Sequence, residues 1–231
     1  MAVGLLGALA GGGAILLAAP TRVPAPERSR IETVVREYIL AHPEIITDAI
    51  HELQSREVGK VVAANRAAFE TPYAGAFAGN AAGDVTLVEF FDYSCGYCRA
   101  SVPILDRLLA EDKGLRVVYR ELPVLGPNSV SAARVSLAAA RMGRYGAFHH
   151  GLFAAGRPEP ATLARVAGAT GIGAAAIVPE DQAELDRNKQ MADAIGVTGT
   201  PGFIVGDHVF GGAVGYDALK KAIADARAAR R

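Results

Sequence analysis

Cys95 and Cys98 are the only cysteines of this 231-residue chain, and they stand together as Cys95-Gly96-Tyr97-Cys98. A C-x-x-C between a strand-forming run and a helix-forming run is a pattern of thiol–disulfide redox chemistry. The spacing has a physical reason. At a helix start, two sulfurs so spaced can close a small disulfide ring with little backbone movement. The first sulfur faces the amine end of the helix, where unpaired amides and the dipole favour a thiolate. The second lies a turn deeper, able to attack a mixed disulfide and release the partner. The competing reading is half of a zinc site. Zinc takes about four ligands, usually from two such pairs or from one pair plus H-x-x-x-H. His42, His51, His149, His150 and His208 do not have that spacing. No metal is expected, and no cofactor beyond the redox-active cysteine pair.

Several elements must position these sulfurs. Val85-Thr86-Leu87-Val88-Glu89-Phe90-Phe91 reads as a strand before them, and 99–109 as a helix after them. Residues 115–122 form a second strand, ended by Pro123. Helical stretches are expected at 131–142, 145–153, 161–169 and 179–195. Short strands at 202–205 and 208–210 flank Gly206-Asp207, a hairpin signal. A last helix spans 217–229, with Asp217 as its N-cap. Strand, helix, strand, helical block, hairpin and helix together describe a mixed α/β sheet carrying a helical insertion.

The region before this core is helical in pattern. Residues 31–40 place Ile31, Val34, Val35 and Tyr38 on one face, and His42-Pro43 interrupts the run. A second helix then extends to about Phe69, with Ile46, Ile50, Leu53 and Val61 as an apolar stripe. Packing on its own domain and self-association are both open for that stripe. A strict heptad is absent, so a regular coiled coil is not expected. The resulting domain organisation is 1–19, 20–29 as linker, 30–69 as helical extension and 70–231 as the redox domain, with its insertion at about 128–195.

Residues 2–19 are uncharged and mostly apolar, and Pro20, Pro24 and Pro26 follow. Such a segment is a signal peptide or a membrane anchor, and either implies export. The 24 acidic and 24 basic residues balance, so no attraction to nucleic acid or to an anionic membrane is indicated. Tryptophan is absent and aromatics make up 6%, which argues against a base-stacking surface.

These residues resemble the thioredoxin superfamily, in its DsbA-like branch. The resemblance covers about 83–226 and is carried by three pieces. They are Val88-Glu89-Phe90-Phe91-Asp92-Tyr93 with the C-x-x-C, Leu122-Pro123-Val124-Leu125-Gly126-Pro127, and Gly196-Val197-Thr198-Gly199-Thr200-Pro201. Residues 38–54, with His42-Pro43-Glu44, are similar to the extension of bacterial suppressor-of-copper-sensitivity C proteins, periplasmic disulfide shufflers of which some are trimeric through it. The resemblance implies a thioredoxin fold with an inserted helical domain, preceded by an N-terminal helical extension.

It also implies roles. Cys95 is then the exposed nucleophile and Cys98 the buried resolving thiol. Glu89 matches the family's buried acid, which exchanges a proton with the resolving thiol; an ordinary solvent-facing strand residue is the alternative. Pro201 matches the family's proline, preceded by a cis bond and set against the sulfurs, with Thr200 offering an edge to an extended peptide or a hydroxyl to a sulfur. Asp92 and Tyr93 flank the site, with surface roles equally open, and His149 and His150 are expected to be solvated. The expected activity is disulfide oxidoreduction on unfolded or misoxidised exported proteins, as oxidase or isomerase, with Thr200 and the extension favouring the isomerase. A membrane redox partner, a homo-oligomer through 30–69 and a periplasmic location, with anchoring by 2–19 left open, belong to this expectation. The alternatives are a Cu(I)-binding or copper-tolerance protein using the same two thiolates, and a scaffold whose extension is the working part.

Overall fold

The computed structural model describes residues 24–173 and 178–230. The segment 2–19 read as a signal or anchor lies outside them. Among the described residues no helix is long and apolar enough to cross a membrane. The chain divides into two units, 1–50 and 51–231.

In the first unit, α1 (Ala25–Ala41) starts inside the segment expected to be linker. Extended Pro24 supplies the cap and Pro26 sits in the first turn, where a missing N–H forfeits no hydrogen bond. Proline-rich composition therefore marked the helix start rather than a loop. A second helix, α2 (Glu44–Ala64), follows His42-Pro43. Ile31, Val34, Val35, Tyr38, Ile46 and Ile50 are all exposed, and no residue of α1 is buried.

In the second unit, the end of α2 packs inward through Gly59 and Val62. The helix expected to run to about Phe69 is broken at Asn65, whose side chain donates to the carbonyl of Val61. That local bond competes with helix continuation. The chain restarts as α3 (Arg66–Glu70), with Phe69 in the core. Residues 51–69 fall within the second unit, and the extension was expected to span 30–69.

The sheet has the order β1-β3-β2-β4-β5, comprising β1 (Phe77–Gly79), β2 (Val85–Phe91), β3 (Leu115–Glu121), β4 (Gly202–Val205) and β5 (His208–Gly211). β2 and β3 are parallel and the other pairings antiparallel. The parallel pair needs a crossover, which α4 (Gly96–Glu111) provides. Every residue of β2 is buried, because helices cover both sheet faces. Val85, Leu87 and Phe91 join the core that holds Cys95, Cys98, Leu105 and Ile223. Val88 and Phe90 join the opposite core with Val62, Phe69 and Ile195. This two-sided burial explains why β2 does not alternate between apolar and polar residues.

Four helices lie between β3 and β4: α5 (Pro127–Arg141), α6 (Tyr145–Ala155), α7 (Pro160–Ala169) and α8 (Pro179–Ala194). They are the expected insertion. Buried Arg120 ties it to the lead-in, donating to Glu184 at 2.7 Å and to the carbonyls of Ala68, Phe69 and Thr71. Gly206, at φ 62°, turns the β4–β5 hairpin. The final helix, α9 (Tyr216–Ala228), is capped by Gly215 without a side-chain bond. Asp217 therefore sits in the first turn, where its charge suits the dipole, and is not the expected N-cap.

Candidate redox site

Cys95 is the N-cap of α4, and its Sγ accepts the Cys98 N–H at 3.2 Å. The helix terminus thus directs a free amide at the first sulfur, as the spacing predicted. Both cysteines are free thiols. Cys95 is 5% exposed and Cys98 not at all. Burial, followed by its contact with Cys95, pushes the Cys98 thiol far above the usual range. Tyr97 between them is largely exposed.

The loop before α4 is held from two sides. The Asp92 carboxylate accepts the amides of Ser94 at 2.7 Å and Leu125 at 2.9 Å, while the Cys95 amide donates to the Asp92 carbonyl. Ser129 Oγ of α5 donates to Ser94 Oγ at 2.7 Å. Asp92, for which a surface role was open, is therefore a buried brace between the cysteine loop and the β3–α5 loop.

The second wall comes from the segment before β4. The Thr200–Pro201 bond is cis, and Cys95 Sγ donates to the Thr200 carbonyl at 3.3 Å. Thr200 meets the sulfur through its backbone rather than through the hydroxyl that was also considered. Pro201 is buried, and its carbonyl accepts the Gly212 amide at 2.8 Å. Gly202 follows where a Cβ would stand 2.6 Å from Val197, so only glycine lets this segment lie so close.

Glu89 lies beneath the sulfurs. Side chains alternate along a strand, and Leu87 and Phe91 belong to the cysteine-side core, so Glu89 faces that side too. It is 2% exposed, and its Oε1 has no hydrogen-bond partner among the described residues. Desolvation, then the nearby Cys95, raises its carboxyl well above the usual range. The solvent-facing alternative for Glu89 does not hold.

His149 departs most from expectation. It is 1% exposed, and its ring stacks on Tyr145 and meets Phe91 and Phe153 edge-on. Its Nδ1 lies 3.3 Å from Tyr93 Oη, which also bonds Ser136 Oγ at 2.7 Å. Burial, with a smaller contribution from His150, pulls its pKa down to about 3. The cause is the insertion, which folds α6 over the sheet and seals the cysteine-side face. His150, the next residue, points outward and pairs with Asp106 at 2.9 Å, in keeping with the expectation of solvent. Tyr93, also left open as a surface residue, is buried. Glu121 was not singled out in the sequence at all; it is buried and accepts from Tyr145 Oη at 3.4 Å. A carboxylate at the end of a β-forming run, just before Leu122-Pro123, was the one available signal. Among the described residues no group of three or more His, Cys, Asp or Glu side chains could hold a metal ion.

A dithiol at a helix start, walled by a proline loop beside a mixed sheet with a helical insertion, defines a thioredoxin-type fold of the thiol–disulfide oxidoreductases. The chain belongs to the family described as the DSBA-like thioredoxin domain, whose profile matches residues 86–224. Residues 27–58 match the Copper resistance protein ScsC N-terminal domain. A thioredoxin-like oxidoreductase from Silicibacter pomeroyi is 38% identical, with 69% of this chain and 95% of that one covered at a TM-score of 0.65. A linker-deletion mutant of Proteus mirabilis ScsC covers 92% of this chain and 100% of its own, at a TM-score of 0.71 and 24% identity, a likeness of fold. The Na(+)/H(+) antiporter NhaA 3 of Salinispora tropica is 30% identical over 166 residues, 64% of this chain. The chain spans 24% of that relative's length.

Proposed function

We propose that this protein shuffles disulfides in exported polypeptides, with Cys95 as nucleophile and Cys98 as resolving thiol. The observation that carries this reading is the position of Cys95 Sγ, under the Cys98 amide and 3.3 Å from the Thr200 carbonyl. The Cys95 thiolate attacks a client disulfide, one client thiolate leaves, and a mixed disulfide remains. A different client thiolate can then displace Cys95, which rearranges the client without net redox change. Otherwise the Cys98 thiol gives its proton to Glu89 and attacks Cys95 Sγ, forming the Cys95–Cys98 disulfide and leaving the client reduced by two electrons. A membrane redox partner then returns the pair to the dithiol. The backbone at Thr200 and Pro201 holds an extended client, independently of its side chains.

Isomerisation is favoured over net oxidation by the extension. Most of its large apolar side chains from Ile31 to Leu53 are exposed, which supports self-association and several sites around one client. The match of residues 27–58 to an ScsC N-terminal domain supports the same arrangement. The apolar stretch at 2–19 supports export, and the periplasm is the proposed compartment.

The deciding experiment pairs the in-cell redox state of Cys95 and Cys98 with refolding of scrambled ribonuclease in reducing buffer. A reduced pair and recovered ribonuclease activity are expected. A pair oxidised at steady state, with activity only towards reduced ribonuclease, would make the protein an oxidase. Stoichiometric Cu(I) binding without exchange would overturn the redox reading.

A further inference from the structure

Below the cysteines the sheet carries a second carboxyl that this chemistry does not use. Glu121 ends β3 and pairs through its Cα with Phe91 across the parallel ladder, while Glu89 pairs with Tyr119. Paired residues, and alternate residues along a strand, share a face. Glu89 and Glu121 therefore both project to the cysteine side, on a diagonal. Both are buried. Their hydrogen bonding differs. Glu89 Oε1 has no hydrogen-bond partner among the described residues, whereas Glu121 Oε1 accepts from Tyr145 Oη and Ser136 lies beside it. Hydrogen bonds to a carboxylate favour its charged form. Of two buried acids that repel, the one with donors ionises first, and the other then holds its proton to higher pH.

We propose that Glu121 is a positioning residue of the redox centre: its carboxylate, across the sheet, makes Glu89 the stronger base for the Cys98 proton. The proposal rests on the Glu89 role given above. In the resolving step the Cys98 S–H bond breaks and its proton passes to a Glu89 oxygen. The Cys98 sulfur bonds to Cys95 Sγ, and the client thiolate leaves with the electron pair of the broken S–S bond. Glu121 touches no reacting atom. It raises the proton affinity of the group that does, which matters because the Cys98 proton is tightly held.

The other groups facing the two acids are accounted for. Tyr93, Tyr119 and Tyr145 have pKa values pushed up by burial and stay neutral. His149 of α6 is neutral above about pH 3. Asp92, engaged by two amides, faces Glu121 and opposes its ionisation, so the donors on Glu121 must outweigh it. From α4 come the reacting thiols themselves, and Asp106, which acts on Tyr119, is paired with His150.

The test is the pH dependence of resolution of a glutathione mixed disulfide on Cys95. It is followed in the full-length protein by acid quench and mass spectrometry. Wild type should show a pH limb that Glu89→Gln removes. Glu121→Gln should move that limb down by about one pH unit, and Glu121→Asp should restore it. A Glu121→Gln profile that overlays wild type, while Glu89→Gln still removes the limb, overturns the role of Glu121 and leaves that of Glu89 standing. An unchanged Glu89→Gln profile overturns the Glu89 reading, and this proposal with it. Should Glu121→Gln not fold, the carboxyl resonances of ¹³C-glutamate-labelled wild type decide. Glu89 should titrate in two steps, one at the midpoint of Glu121, and a single step overturns the proposal.

Discussion

Cys95 Sγ and the carbonyl oxygen of Thr200 lie 3.3 Å apart, joining the head of α4 to the segment before β4 across 105 residues of sequence. The Cys95 sulfur is thereby walled by backbone rather than by a side chain. The deeper sulfur has no exposed surface. Both sulfurs are nearly buried, so the exposed position expected for Cys95 does not hold; its place at the N-cap beside the Thr200 carbonyl is what sets it apart from Cys98.

Removal of the deeper thiol should separate the two steps. Cys98→Ala retains the nucleophile and loses the group that expels the client, so a covalent adduct with Cys95 should accumulate to near one equivalent. Non-reducing mass spectrometry after incubation with scrambled ribonuclease reads it. Cys95→Ala should give none, and an adduct on Cys98 in that variant would contradict the assignment.

Glu89 is a stability liability as well as a proposed base. Its buried Oε1 lacks a partner among the described residues, and such an orphan costs about 1–3 kcal/mol. Glu89→Leu should therefore raise stability by roughly that amount at pH 7 while slowing exchange. Urea unfolding of the reduced protein gives the first quantity and turnover on scrambled ribonuclease the second. Lower stability in the variant would show that the carboxyl is better satisfied than its geometry indicates.

His149 should make the fold acid-sensitive. Burial holds its pKa at about 3 against an ordinary 6.5, so below the ordinary value the unfolded chain binds a proton that the folded chain does not. The stability from this group is complete above about pH 6.5 and is lost as pH falls towards 3. Glu89 and Glu121 carry the opposite sign, because their raised values favour the fold at low pH and that contribution fades as pH rises. His149→Gln leaves both acids in place. The drop in urea midpoint from pH 7 to pH 4 should be smaller in the variant than in wild type, and equal drops would refute the buried neutral imidazole.

The exposed stripe should hold subunits together. Val34 and Leu53 are more than half exposed. Val34→Glu with Leu53→Glu should lower the sedimenting mass to that of one chain and leave reduction of a small disulfide unchanged. An unaltered mass would remove the extension from assembly, and loss of small-disulfide reduction would tie the stripe to the site itself.

Local physics made much of this molecule readable. β2 occupies 85–91 as its β-branched and aromatic run predicted, because two packed neighbours and covered faces select the same residues. The two cysteines define a helix cap by their spacing alone. Where expectation failed, a longer-range or finer interaction decided. Asn65 ended α2 through one side-chain bond, and Pro26 began α1 rather than preceding it. His149 and His150 are adjacent on one helix, yet one is sealed among aromatic rings and the other pairs with Asp106 at the surface. Composition does not distinguish them, because the difference is which side of α6 meets the sheet.

The chain's order of residues alone determined that two thiols sit one turn apart at a helix start, since that follows from spacing and helix geometry. Only the folded arrangement decided what surrounds them. Thr200 and Pro201 come from more than a hundred residues away, and Glu89 and Glu121 share a face through strand pairing. The proton affinities of the buried groups are set by solvent exclusion, and that is a property of the packed whole rather than of any segment.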